Sequence, residues 1–167
     1  MSMTKEEILA LMKEKGKADA LDLRYRAKDL DGTAIIAEES KIPQFDPTKD
    51  YSSFPVGSPV YETVDGERQI FTLIQPHNAS YYPGSTPSNT RALWSLKHTK
   101  DIAKAKPWVA PLGTSGMYDS DEVCTSSGHI WRSKKDSNPY EPGSAGTDDY
   151  WEDLGIKGNA DLQKGIV

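Results

Sequence analysis

Residues 56–75 read VGSPVYETVDGERQIFTLIQ. Two runs rich in β-branched and aromatic residues, 56–64 and 69–75, flank Asp65-Gly66. A two-residue link of that type favours the left-handed backbone of a tight hairpin turn. Residues 122–134, EVCTSSGHIWRSK, repeat the plan, with runs 122–125 and 129–134 around Ser127-Gly128. The repetition extends outward from both hairpins. The stretch 43–96 carries Pro43-x-Phe45, Gly57-x-x-Val60, Gly66, Ile70-Phe71, Asn78, Pro83-Gly84 and Trp94-x-Leu96. The stretch 107–154 carries Pro107-Trp108, Ser120-x-x-Val123, Gly128, Ile130-Trp131, Asn138, Pro142-Gly143 and Trp151-x-x-Leu154. Landmarks in one order mark an internal duplication, so the chain is two copies of one small module. A polar loop, 76–91 or 136–149, leads to a closing aromatic–aliphatic strand, 93–96 or 151–154. The expected fold class is mainly β with an N-terminal α-helical segment and two small three-stranded antiparallel β modules. The expected division is a helical attachment or oligomerisation segment over 1–42, module 1 over 43–96, a basic linker over 97–106, module 2 over 107–154 and a loose polar tail over 155–167.

Modules of about 50 residues lie near the lower limit for independent folding. Hydrophobic content, 36%, is modest. The single cysteine, Cys124, excludes an internal disulfide, and His77, His98 and His129 have no ligand partners at metal spacing. No metal or cofactor is expected. The modules must therefore lean on each other, on the N-terminal segment or on further copies of the chain. In that segment, residues 4–15 read as a helix. Thr4 and Glu7 form a capping box, Glu6 and Glu7 complement the dipole, and Gly16 is the expected stop. Its apolar face, Ile8, Leu11 and Met12 with Leu9 beside it, is expected to dock, because twelve residues are too few for a free helix. A second helix is expected over 19–30, with Asp19 as cap and Ala20, Leu23, Ala27 and Leu30 as its seam. A third, over 33–40, buries Ile35 and Ile36.

The net charge of -5 argues against a nucleic-acid binder. No apolar run approaches the ~20 residues of a membrane span, and the first residues have charges where a signal peptide would be apolar. Synthesis and folding in a cytoplasm are expected, without membrane insertion. Catalytic signatures are weak. Cys124 follows Val123 in a strand and reads as a small buried hydrophobe rather than a nucleophile. Glu38-Glu39 and Asp148-Asp149 are adjacent acids, whereas a glycosidase pair faces across a cleft. Gly113-Thr114-Ser115-Gly116 lacks the lysine of a phosphate loop. The protein is not expected to be an enzyme.

The aromatics are more telling. Phe71 and Trp131 match in position, as do Trp94 and Trp151, and aromatics on strands are mostly core. Tyr81, Tyr82 and Tyr140 instead stand in polar loops just before Pro-Gly. A ring on a turn can stack against the apolar face of a pyranose while a nearby amide bonds its hydroxyls. Tyr81, Tyr82 and Tyr140, with Asn78 and Asn138, are thus candidate carbohydrate-binding residues. The competing role for these tyrosines is packing over the edge of a thin sheet.

This order of landmarks resembles the small chitin-binding carbohydrate-binding modules of families 5 and 12. The second copy is the more similar, through Asp121-Glu122-Val123, Gly128-His129-Ile130-Trp131, Glu141-Pro142-Gly143 and Trp151-Glu152. The resemblance implies compact three-stranded modules without catalytic activity that bind β-linked sugar polymers. The chain departs from it after each hairpin. Where chitin-binding members carry adjacent aromatics, this sequence has Ile74-Gln75 and Lys134-Lys135. Tandem modules behind a short helical segment also look like tail or virion-surface proteins of bacteriophages and prophage-like particles of Gram-positive bacteria. Residues 31–43 and 50–57 resemble segments of such proteins. The expected function is a non-enzymatic particle protein, made in the bacterial cytoplasm and released by lysis. Its expected partners are other phage structural proteins, copies of itself as a homo-oligomer, and cell-surface polysaccharide met weakly at many copies. The alternative is a decoration or tail-accessory protein that touches protein neighbours and no sugar.

Overall fold

A computed structural model describes residues 2–158. The chain is mainly β behind an N-terminal helical region, with two sheets. Helix α1 spans Lys5–Arg26 and α2 spans Gly32–Ala37. Sheet 1 is β1 (Pro59–Val64), β2 (Glu67–Leu73) and β3 (Trp94–Leu96), antiparallel in that order. Sheet 2 is β4 (Lys106–Pro107), β5 (Val123–Ser126), β6 (His129–Ser133) and β7 (Trp151–Ile156). Its last three strands are antiparallel, and the two-residue β4 lies parallel to β5. Both hairpins turn where the sequence places them: Asp65 and Gly66 have φ of 53° and 80°, Ser127 and Gly128 of 51° and 78°. These are the left-handed angles that a tight two-residue hairpin needs.

Module 1 is a layered unit because β2 is buried on both sides. Phe71 and Leu73 face an aromatic core with Tyr51, Val60 and Trp94. The Trp94 and Tyr51 rings stand perpendicular with centroids 5.2 Å apart, and Phe45 stacks on Tyr51 at 5.9 Å. Ile70, on the opposite face, packs with Leu23, Ala27, Ile35, Ile36 and Ile42 of the helical region. Module 2 repeats the layering with less material. Cys124, Trp151 and Tyr118 form one side, while Val123, Ile130 and Leu154 are covered by Ile102 and Ala105. Residues 97–106, expected as a linker, thus cover sheet 2 much as the helices cover sheet 1. Thr99 bridges to Val123 and is buried, and Lys106 and Pro107 are the β4 strand.

The N-terminus differs from expectation in three ways. The capping box forms, with Glu7 N–H donating to Thr4 Oγ1 (3.1 Å) and Thr4 N–H to Glu7 Oε2 (2.9 Å). Gly16 does not stop the helix, however, and Asp19 does not start another. One helix runs through both. Ion pairs Lys15–Asp19 (3.1 Å), Glu14–Lys17 (3.6 Å) and Asp22–Arg26 (2.9 Å) support its surface on either side of the glycine. Each contributes a few tenths of a kcal/mol, together comparable to the ~1 kcal/mol cost of a helical glycine. The expected seam is realised only at its C-terminal end, where Leu23, Ala27 and Leu30 pack. The face expected to dock does not: Ile8, Leu9, Leu11 and Met12 are all exposed. Finally, the third helix is shorter than 33–40. It begins at Gly32, capped by Asp31 accepting from Ala34 N–H (2.8 Å), and ends at Ala37, before a 3-10 turn over Glu39–Lys41.

The two modules and the helical region are tied together. Gln69 Nε2 of β2 donates to the Pro107 carbonyl (3.0 Å). Lys106 Nζ meets Glu39 at 2.8 Å, and Lys157 meets Glu67 at 3.7 Å. Lys100 N–H donates to Thr33 Oγ1 (2.9 Å). The mutual support that small modules need is therefore intramolecular. In place of a loose start to the tail, β7 continues to Ile156; the rest of the expected tail, 159–167, lies outside the described residues.

Candidate functional site

The candidate residues occupy matching turns, because the backbone of the modules is duplicated bond for bond at several points. Phe45 N–H donates to Tyr61 O and Trp108 N–H to Thr125 O, at 2.8 and 2.9 Å. The next amides, Asp46 and Val109, donate to the hydroxyls of Tyr51 and Tyr118, at 3.0 and 3.3 Å. Gly57 N–H meets Leu73 O as Asp121 N–H meets Ser133 O, both at 2.8 Å. Ile74 N–H meets Leu93 O as Lys134 N–H meets Tyr150 O, and the Trp94 and Trp151 amides meet Thr90 and Thr147 carbonyls. These bonds correct the sequence alignment of the first strands. Gly57 corresponds to Asp121, not Ser120, and Val60, opposite Phe71, corresponds to Cys124, opposite Trp131. Hence Asp121 has the positive φ (73°) that glycine supplies in module 1 (96°).

In module 1, Asn78 opens a 3-10 turn, Ala79–Tyr81, and its Oδ1 accepts from Ser80 N–H (3.0 Å) and Ser80 Oγ (2.6 Å). The half-buried amide thus shapes the turn that carries the tyrosines. Tyr81 and Tyr82 are 78% and 49% exposed. Tyr82 meets the buried His77 ring edge-on at 5.9 Å, while Tyr81 projects into solvent. In module 2, Asn138 Oδ1 accepts from Tyr140 N–H (3.1 Å) in a similar turn. Its Nδ2 donates to Ser133 Oγ (3.1 Å) and Tyr150 O (3.2 Å). With 0% exposure, Asn138 is a strut that ties the loop to β6, out of reach of any ligand. Tyr140 is 45% exposed and rests edge-on against Tyr150 at 4.6 Å, and its carbonyl accepts from Trp151 Nε1 (2.8 Å). Lys135 Nζ lies 4.4 Å over the Tyr150 ring.

Of the proposed set, then, Tyr81, Tyr82 and Tyr140 present rings to solvent, Asn78 orders the first turn, and Asn138 is structural. The four position-matched aromatics divide as well: Phe71, Trp94 and Trp151 are buried, while Trp131 is half-buried, with its Nε1 donating to Ser126 O (3.2 Å). The remaining candidates have structural surroundings. Cys124 is fully buried, which pushes its thiol well above the ordinary range. Glu38 accepts from the two terminal guanidinium nitrogens of Arg26, Nη1 and Nη2 (3.1 and 2.9 Å), and chiefly for that reason its carboxyl is lowered to about 2. Glu39 is engaged by Lys106.

Sequence reading missed the Tyr51–Tyr118 and Thr90–Thr147 correspondences. Six residues separate Phe45 from Tyr51 but ten separate Trp108 from Tyr118, so fixed spacing hid the first. The second was a threonine four residues before each closing tryptophan, a constant that was available to find. No protein-family model matches the chain, and no curated protein matches it in sequence.

Proposed function

We propose that this chain is a non-enzymatic structural protein of a bacteriophage or prophage-like particle. The free part of α1 attaches it to the particle or to further copies, and the two modules face outward to meet host-surface polysaccharide. The observation that carries the reading is the pair of exposed tyrosine turns, Tyr81-Tyr82 and Tyr140, each held by an asparagine-capped backbone at a repeated place in the fold. Rings fixed on ordered turns lose little freedom on stacking, which favours binding at modest contact area. Two such sites per chain, multiplied over a particle, convert weak contacts into adhesion. The exposed apolar residues of α1 support the attachment role, since contiguous apolar surface marks an interaction site.

The test is retention on Gram-positive cell-wall polysaccharide. The triple variant Tyr81→Ala, Tyr82→Ala, Tyr140→Ala should lose retention while its melting temperature stays within about 2 °C of the parent, the shift of less than ~1 kcal/mol. Unchanged retention, or a collapse in melting temperature, would overturn the assignment. The purely structural reading, in which the modules touch protein neighbours and no sugar, is favoured by a different observation. Ile74 and Gln75 after β2, and Lys134 and Lys135 after β6, are exposed and offer no aromatic platform. It requires that the parent protein itself show no retention.

A further inference from the structure

A groove of about 330 Å³ lies between the middle of α1 and residues 40–43. Gly16, Ala20, Ile42 and Pro43 give it small and apolar walls, and Asp19 and Lys41 also line it. Both of those charges are engaged, Asp19 by Lys15 (3.1 Å) and Lys41 by Glu38 (2.9 Å). The groove therefore suits an apolar side chain rather than an ion. Gly16 keeps it open: a methyl group added at its Cα would meet nothing within 4 Å. A matching guest stands on the same helix. Residues 8, 9, 12, 16, 19, 20 and 23 recur at three- and four-residue steps and share one face. That face is packed at Leu23, hollow at Gly16 and Ala20, and exposed at Ile8, Leu9 and Met12.

One chain cannot place its own Ile8 and Leu9 in its own groove, because a continuous helix holds them apart. A second copy can. Turned end for end about a two-fold axis beside Met12, it brings its Ile8 and Leu9 to Gly16 while its own groove receives the same pair in return. Such a contact is self-complementary and closes at two copies. The order of charges along α1 selects this direction. Its first turn, Lys5, Glu6 and Glu7, has two acids to one lysine, and residues 13–17 have three lysines to one acid. End-for-end pairing lays the acidic turn along the basic stretch, with Glu6 toward Lys17 and Lys5 toward Asp19. A parallel pair would set acid beside acid and lysine beside lysine, and Gly16 against Gly16 with both grooves unfilled. The two Lys13 side chains approach near the axis, a like-charge contact eased by their exposure to solvent.

We propose that the partner of the free part of α1 is a second copy of this chain, joined as an antiparallel helix pair in which Ile8 and Leu9 of each copy fill the groove of the other. The pair rests on the attachment role proposed for α1 and specifies its partner. With about four helical turns a side, the interface is smaller than a standard one, so the pair is weak and concentration-dependent. The experiment is sedimentation equilibrium of the purified full chain, which should show monomer and dimer and nothing larger. Ile8→Glu removes the guest and Gly16→Leu fills the hole. Each should weaken the dimer by at least about tenfold. Gly16→Leu should do so with the melting temperature unchanged or raised, because leucine is the better helix former. Glu6→Lys should weaken the dimer by about two- to fivefold, the scale of an exposed ion pair. Adding Lys17→Glu in the same chain should restore it, a rescue that a parallel pair would not give. A monomer at every concentration, assembly beyond two copies, a dimer indifferent to Gly16→Leu, or a double charge swap as weak as Glu6→Lys would each overturn the proposal. A monomeric chain that still needs residues 1–17 to enter particles would overturn the pair and leave the attachment role in place.

Discussion

At the scale of single residues, His98 shows how burial fixes chemistry. Enclosure against Tyr118 disfavours the imidazolium and lowers the pKa from 6.5 to about 4. A folded value below the unfolded one means that the unfolded chain takes up the proton first. The contribution of neutral His98 is therefore fully present above pH 6.5 and is lost as pH falls from there to about 4. An NMR titration should find the His98 ring unprotonated at pH 6 with a midpoint near 4, and His98→Gln should flatten the decline of melting temperature between pH 6.5 and pH 4. A His98 midpoint near 6.5 would contradict the burial argument. Residue identity announced some roles well. Cys124 is buried among apolar neighbours, as its place in a strand suggested. Asn138 was legible as a recurrent landmark but not as a strut, because an asparagine's role depends on which way its amide points. That direction is set by Ser133 and Tyr150, residues distant enough in sequence to give no local signal.

At the scale of elements, turns were read more truly than helix ends. Asp65-Gly66 and Ser127-Gly128 demand a backbone that few residue pairs tolerate, so the two hairpins followed from local chemistry. Gly16 misled because the same residue serves as a helix stop or as a tolerated interior position, and the choice rests on neighbours. Here the i,i+4 pair Lys15–Asp19 spans it. Its backbone φ is not positive, and a methyl group added at its Cα would meet nothing within 4 Å. Gly16→Ala should therefore strengthen the helix by roughly 0.5–1 kcal/mol, the propensity difference. The checking measurement is amide hydrogen exchange over residues 12–20, which should slow by about two- to fivefold for that free energy. Faster exchange would show that the glycine serves a bend that the helix requires. Strand β4 was unreadable for a related reason. Two residues of a polar segment carry no periodicity, and their pairing with β5 depends on the sheet already being there.

At the scale of the whole molecule, the helical region is two parts with different duties. Beyond Asp19 it is a layer of the core: Leu23, Ile35, Ile36 and Ile42 cover the Ile70 face of sheet 1. Before that point its side chains are exposed. Deleting residues 1–17 should leave the melting temperature of the modules nearly unchanged and should prevent incorporation into particles. Deleting residues 1–42 should leave no folded module 1, since each of those four side chains contributes about 1.5–3 kcal/mol of burial against a typical net stability of about 5–15 kcal/mol. Calorimetry of both truncations separates the parts, and a cooperative transition retained by the longer deletion would refute the layer. The duplication was visible in sequence as a list of landmarks, whereas the match between helices over sheet 1 and residues 97–107 over sheet 2 was not. Two unrelated segments fill the same architectural position, and only the apolar faces they cover, Ile70 and Ile130, are alike.

The exposed stretch of α1 has a mechanical consequence. From Lys5 to about Ala18 a continuous helix rises roughly 20 Å at 1.5 Å per residue. A rod of that length is stiff on the scale of the protein. Anchored at its tip, it would act as a stand-off of fixed height, so that spacing between anchorage and sheets is dictated by counting residues rather than by the reach of a loose tether. Insertions of three or four residues before Ala18 would then both lengthen the rod and rotate the payload about its axis.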